Sequence, residues 1–264
     1  DAQGKRIALE ILAAEKVSQH YTFEVTNAGG HSSRPVPDNA IYHLVRAVDR
    51  VSRYEFPVQL DDANRGYFLG MSKIYGGEDG AAMTAIVANP ADSAALAVLD
   101  RNPNWHAMLR TTCVATQLSA GHAPNALPQR ARANINCRIF PGVSVEEIRA
   151  QLVKIADDPA VTVSIPEVRG PAAQPAPLTQ QILGPVEKVA HELWPGVPVV
   201  PALEPGASDA QFMNPAGIPT YGIDGIFVDP DYGHIHGLNE RVRVRSVMEG
   251  RTFLYRLVLL YANQ

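Results

Sequence analysis

An α/β fold in two parts is the architecture that this 264-residue sequence predicts. Three observations carry it. Between residues 21 and 165 the strand-like and helix-like segments follow the order β-α-(insertion)-β-β-α-β, the split, ferredoxin-like arrangement. The stretch Gly170-Pro171-Ala172-Ala173-Gln174-Pro175-Ala176-Pro177 then reads as a linker. Beyond it strands and helices alternate again, but too few of them to cover both faces of a parallel sheet. The C-terminal region therefore reads as part of a domain.

Each element has its own local reason. Tyr21-Thr22-Phe23-Glu24-Val25-Thr26 is alternating, aromatic and β-branched, and predicts a strand ended by Asn27-Ala28-Gly29-Gly30. Pro37-Asp38 opens a helix with Ile41, Leu44, Val45, Val48 and Val51 at helical spacing. From residue 57 to 105 the periodicity weakens, and only one helix, over 93–99, is expected in what reads as an insertion. Strands follow at 109–116 and 130–139. Ser144 and Glu147 form a capping box, with Val145, Ile148, Leu152 and Ile155 along the helix behind it. A strand at 161–165 completes the unit. After the linker come a helix at 178–194, a strand at 197–200, a short helix near Ser208, a strand at 218–223 and a helix at 246–261. Cys113 and Cys137 fall on adjacent strands and are expected as buried free thiols rather than a bridge.

Composition narrows the function. Lys+Arg 23 against Asp+Glu 27 leaves a net charge of −4, which favours no nucleic acid partner. The longest nearly apolar run, from Phe253 to Tyr261, contains Arg256 and is too short for a membrane span. Two cysteines make no disulfide scaffold. The N-terminal residues carry no signal-peptide pattern. A soluble enzyme, or part of one, is the expectation.

Four segments are candidates for chemistry. His236, close to His234, sits in a loop before Gly237-Leu238-Asn239-Glu240; a neutral imidazole is a good zinc ligand, although a loop histidine taken singly is more often a surface residue. There is no His-Glu-x-x-His and no His-x-Asp in the sequence. The turn Pro205-Gly206-Ala207-Ser208-Asp209-Ala210 can offer N–H groups and a hydroxyl to a carboxylate, or simply cap the helix it enters. Gly29-Gly30-His31-Ser32-Ser33-Arg34-Pro35 puts His31 in a loop at a strand end. Arg138 alternates with Asn136 and Asn134 along a strand, and is either solvated or turned to fork onto a carboxylate.

In order, the segments around His31, Asn125 (in Ala123-Pro124-Asn125-Ala126-Leu127-Pro128), Arg138 (in Asn136-Cys137-Arg138-Ile139-Phe140-Pro141-Gly142), Ser208 and His236 resemble the dizinc exopeptidase family. That family includes glutamate carboxypeptidase, carboxypeptidase S, succinyl-diaminopimelate desuccinylase, aminoacylase and carnosinase, and the nearest similarity is to carboxypeptidase-S-like members. The resemblance implies that residues 20–172 are a ferredoxin-like lid or dimerisation domain, with an insertion at about 57–105. Residues 1–19 would be the tail of the first catalytic segment, and residues 173–264 the C-terminal part of an α/β zinc-exopeptidase catalytic domain.

The implied activity is zinc-dependent hydrolysis of C-terminal peptide or N-acyl amino-acid amide bonds, with two zinc ions per complete subunit and a homodimer formed through the lid. By the same resemblance His31 stabilises the tetrahedral oxyanion, commonly in the partner subunit's site. Asn125 and Arg138 hold the substrate's terminal carboxylate, the Gly206, Ala207 and Ser208 turn helps bind it, and His236 is the last metal ligand. The family's remaining ligands are expected before Asp1, which makes this chain by itself an inactive fragment unable to hold both ions. The rival expectation is a non-catalytic lid fragment or inactive relative that binds carboxylates. A periplasmic or secreted location is favoured over the cytoplasm by resemblance alone.

Overall fold

The computed structural model describes residue 1 and residues 3–263. The chain opens with β1 (Leu9–Glu15) and, one residue later, β2 (Val17–Thr26), followed by the two-residue β3 (Gly30–His31) and α1 (Ala40–Arg53). Then come α2 (Asp62–Tyr75), α3 (Gly77–Ala88), α4 (Ser93–Leu99) and α5 (Pro103–Leu109). β4 (Thr112–Ala120), β5 (Ala126–Leu127), β6 (Arg130–Ile139), α6 (Val145–Ala156) and β7 (Thr162–Ser164) follow. The last part holds α7 (Gln180–Leu193), β8 (Val199–Glu204), α8 (Ala210–Met213) and α9 (Val244–Ala262).

The predicted ferredoxin-like unit is present. Its antiparallel sheet has the order β4-β6-β2-β7. Period-two alternation turns Tyr21, Phe23 and Val25 of β2, with Ala133, Ile135 and Cys137 of β6, onto one face. There they pack against Leu44, Ala47 and Val51 of α1 and Ile148, Leu152 and Ile155 of α6. Val45, placed on the buried stripe by its spacing, is 48% exposed, and Ala40 and Ala47 take that side instead. The capping box at the start of α6 forms as predicted: Ser144 N donates to Glu147 Oε2 at 2.8 Å, and Glu147 N to Ser144 Oγ at 3.2 Å.

The segment 57–105 is far more ordered than its periodicity predicts. Four helices form there, α2 from an Asp61–Asn64 capping box. Gly66 and Gly70, one turn apart, leave the face of α2 flat enough to lie on Pro201 and Val200 of β8. Tyr67, Phe68 and Met71 then share a core with Ala13 and Ala14 of β1 and Leu203 of β8. β1 and β8 pair in parallel, and their other face, with Leu9 and Ile11, packs on Val186 and Val189 of α7, Trp194 just past its end, and Phe253 and Leu257 of α9. The inserted helices thus cover one face of the second sheet.

Two expectations are corrected. Residues 218–223 form no strand; only Gly222 makes an isolated bridge, to Leu12. Cys113 and Cys137 are a disulfide and not free thiols. They stand directly opposite in the β4–β6 register with Cα atoms 4.1 Å apart, within bridging reach.

Candidate functional site

β1 and β2 are separated by Lys16 alone, so one continuous stretch of chain passes from one sheet to the other. The residues on either side of this crossing do different work. Glu15, 6% exposed at the end of β1, accepts hydrogen bonds from Ser208 N at 2.9 Å and Ser208 Oγ at 2.6 Å. Its register partner Glu204 accepts from Gly206 N at 2.7 Å. Two carboxylates thereby fix the turn Gly206-Ala207-Ser208, and a Cβ on Gly206 would sit 2.8 Å from Glu204 Oε1. The other oxygen of Glu15 is buried without a partner among the described residues. Burial raises the Glu15 carboxyl pKa above the usual carboxylate range; the Ser208 bonds pull it down, and the Glu204 charge adds to the rise. A cleft of about 190 Å³ opens here, lined by Leu12, Glu15, Glu204, Ala207, Ser208 and Thr220 among others.

Arg138 lies on the four-stranded-sheet side of the same crossing. It stands on the sheet face opposite the helices, between Ser18 of β2 and Thr112 of β4. The other arginines of that face are paired: Arg130 and Arg132 both reach Glu24. The Arg138 side chain, half-buried, makes no hydrogen bond or ion pair among the described residues. A guanidinium without an anion at a domain junction is free to take one.

His31 and Asn125 are brought together elsewhere. β3 pairs with β5 as a small ribbon that sets His31 opposite Ala126, and Ser32 N donates to Asn125 O at 3.0 Å. Ser33 N donates to His31 Nδ1 at 3.2 Å, which makes the neutral ring the Nε2–H tautomer and leaves that N–H as an exposed donor. The ribbon continues the Arg130 end of β6. Eight residues of strand, roughly 27 Å at ~3.4 Å each, separate Arg130 from Arg138. A single chain therefore keeps His31 and Asn125 apart from Arg138 and the Ser208 turn.

His236 sits in an exposed loop with φ +62°, and His234 and Asn239 nearby also have positive φ, at +57° and +60°. Such residues are strained, and strain of this kind collects at functional loops. The loop is held from both sides: Gly237 N donates to His234 O at 2.7 Å, and Asp231 pairs with Arg241. His236 could supply one zinc donor. Among the described residues no group of three His, Cys, Asp or Glu side chains could hold a metal, so the residues present do not by themselves fit a zinc centre.

Comparison with known proteins explains this partition. A family model described as the peptidase dimerisation domain of M20 matches residues 13–163, more than half of the chain. The chain belongs to the M20 peptidase family. Among curated proteins, this M20 chain is 27% identical over 260 residues to the human N-fatty-acyl-amino acid synthase/hydrolase PM20D1, covering 96% of this chain and 51% of that protein. It is 25% identical to the probable carboxypeptidase S-like 2 of Dictyostelium discoideum, over 92% of this chain and 47% of that one. The chain thus spans about half the length of the curated relatives it matches. Among solved structures, the M20 metallo-carboxypeptidase Sso-CP2 of Sulfolobus solfataricus superposes with a TM-score of 0.65 at 14% identity, covering 99% of this chain and 63% of that one. Human carnosine dipeptidase 1 gives 0.64 at 14% identity, over 98% and 58%. The M20 fold accounts for the lid, the parallel β1–β8 pair and the helices around it. No helix among the described residues of the M20 chain is long and apolar enough to cross a membrane.

Proposed function

We propose that this M20 chain is the lid and C-terminal catalytic part of a zinc-dependent amidohydrolase that cleaves C-terminal peptide or N-acyl amino-acid amide bonds. The unpaired Arg138 guanidinium supports this most directly: it is a cationic anchor for a free carboxylate, which makes an exopeptidase rather than an endopeptidase. The catalytic turn Gly206-Ala207-Ser208, fastened by Glu15 and Glu204, meets the lid at the same crossing. His236 would be one of the ligands of the two zinc ions.

The reading extends to assembly. His31 with its free Nε2–H donor lies at the far end of the lid from Arg138, the arrangement expected if each lid serves its neighbour's site in a homodimer. β4 is an edge strand, with Val114 58% and Leu118 62% exposed, and offers a surface for a second copy. The Cys113–Cys137 bridge supports a periplasmic or secreted location. For the 264 residues taken by themselves, the incomplete donor set favours carboxylate binding without turnover.

The test is release of a C-terminal amino acid by the complete, zinc-loaded protein from N-acyl amino acids and from dipeptides, against the same substrates with an amidated C terminus. Release from the free acids but not the amides is expected. No release from either class, with zinc bound, overturns the proposal.

A further inference from the structure

Lys16 is 0% exposed, and its amine has a poor set of neighbours for a cation. Its Nζ lies 3.4 Å from Thr112 Oγ1, its one side-chain partner among the described residues, and its backbone N donates to Glu204 O at 3.1 Å. Thr112 is the register partner of Arg138, and Ser18, two residues on from Lys16, is its partner on the other side. Alternation therefore puts Lys16 and Arg138 on one face of the lid sheet at the crossing.

The charged groups around them are accounted for. Arg110, just past α5, is held by Glu55 at 2.8 Å and Asp100 at 3.2 Å, with His106 beside it. Glu15 is turned to Ser208, and Glu204 to Gly206. Neither Lys16 nor Arg138 has a carboxylate partner among the described residues. Burial, then the positive charges of Arg138 and Arg110, bring the Lys16 amine down to about 7.

We propose that Lys16 is a buried second cation of the carboxylate subsite, one that takes up its proton together with the carboxylate that binds Arg138. The inference rests on Arg138 being the carboxylate anchor. An anion on Arg138 cancels its repulsion of the amine and adds attraction across a low-dielectric interior, so the charged form of Lys16 becomes the favoured one. The proton comes from the buffer, and one N–H bond forms on Lys16 for each carboxylate bound. Lys16 touches no substrate; it is a positioning residue acting through the field.

The sign follows from linkage. Below pH 7 Lys16 is already charged and binding moves no proton. Between about 7 and the higher pKa of the complex, each bound carboxylate takes up as much as one proton, and affinity falls by up to tenfold per pH unit.

The test is calorimetric titration of N-acetyl-L-leucine into the 264-residue chain at pH 8 in triethanolamine and in Tris, cationic buffers whose ionisation heats differ and which offer Arg138 no competing oxyanion. The expected result is uptake approaching one proton in the parent chain and none in Lys16→Met, with Arg138→Ala binding at least tenfold more weakly. In the parent chain with ¹³C-labelled lysine, the Lys16 Cε resonance should shift on adding the ligand, a readout that needs no variant to fold. Equal heats in both buffers with intact binding, or uptake persisting in Lys16→Met, overturns the role of Lys16 and leaves Arg138 standing. Binding that survives Arg138→Ala unchanged, or no binding to the parent chain, overturns the anchor and the inference together.

Discussion

Replacing Glu15 tests how the Gly206-Ala207-Ser208 turn is held. Glu15→Ala removes the acceptor of two hydrogen bonds, at 2.9 and 2.6 Å, and leaves the Ser208 N–H and hydroxyl without their anion. Hydrogen bonds to charged groups contribute roughly 1.5–3 kcal/mol each. Against that stands the burial of a carboxylate that is 6% exposed with one oxygen unpartnered. The net loss expected for Glu15→Ala is about 2–4 kcal/mol. Glu15→Gln keeps an acceptor oxygen for Ser208 and places a neutral amide where the unpartnered oxygen was, so its cost should stay below about 1 kcal/mol. Urea unfolding of the three proteins measures both numbers. It also reads a pH slope. Because burial raises the folded-state pKa of Glu15, the parent chain loses stability as pH rises from the ordinary carboxylate value of 4.5 through the raised one, and the Gln variant lacks that loss. Equal destabilisation by Ala and Gln, or a loss below about 0.5 kcal/mol for Ala, would refute the idea that Glu15 fastens the turn.

Four further outcomes follow from other contacts. Gly66→Ala should destabilise by about 1–2 kcal/mol, because its Cβ runs into the Pro201 ring by more than helix propensity returns. Gly184→Ala should return none of the ~0.5–1 kcal/mol that helix propensity gives elsewhere, because position 184 precedes Pro185 inside α7 and the proline Cδ crowds a Cβ there; thermal melts compare both variants with the parent chain. His43 bridges Asp158 at 2.6 Å and Asp38 at 3.1 Å, and the Asp158 hydrogen bond leads in raising its pKa. Its contribution, of order 1 kcal/mol, should be complete below pH 6.5 and fade as pH rises through the raised folded value, so the melting difference between parent and His43→Ala narrows at alkaline pH. Alkylation without reductant should label neither cysteine, and reduction of the bridge, which closes a sequence separation of 24, should cost about 3 kcal/mol of stability.

What the sequence reveals depends on whether a feature is local. Ser144 and Glu147 cap their own helix, and Tyr21, Phe23 and Val25 alternate within one strand, so both were legible. α2 and α3 are not, because Gly66, Gly70, Gly76, Gly77 and Gly80 break the apolar stripe; what rewards Gly66 and Gly70 is a strand more than a hundred residues away, and what rewards Gly80 is close approach to the Ser72 carbonyl of the neighbouring helix. β1 escaped notice for a similar reason: Leu9-Glu10-Ile11-Leu12-Ala13-Ala14-Glu15 has no strand alternation, and only pairing with β8 makes it extended. Among the residues proposed for the site, His31, Asn125, Arg138, Ser208 and His236 are visible through motif order. Glu15 and Lys16 are an unremarkable charged pair until the fold buries them.

The single residue between β1 and β2 has a mechanical side. Because the β1–β8 sheet runs into the four-stranded sheet with Lys16 as the sole intervening residue, the two meet at a pivot rather than across a slack tether. β2 is 10 residues long, a rigid arm of roughly 34 Å with the His31 ribbon beyond its far end. Turning that arm by ~10° at Lys16 sweeps its tip through about 6 Å, twice the length of a hydrogen bond. Adjustments of a few tenths of an ångström around Glu15 and Lys16 are thus geared up at the other end of the lid, and the residues that set the angle are the ones buried at its fulcrum.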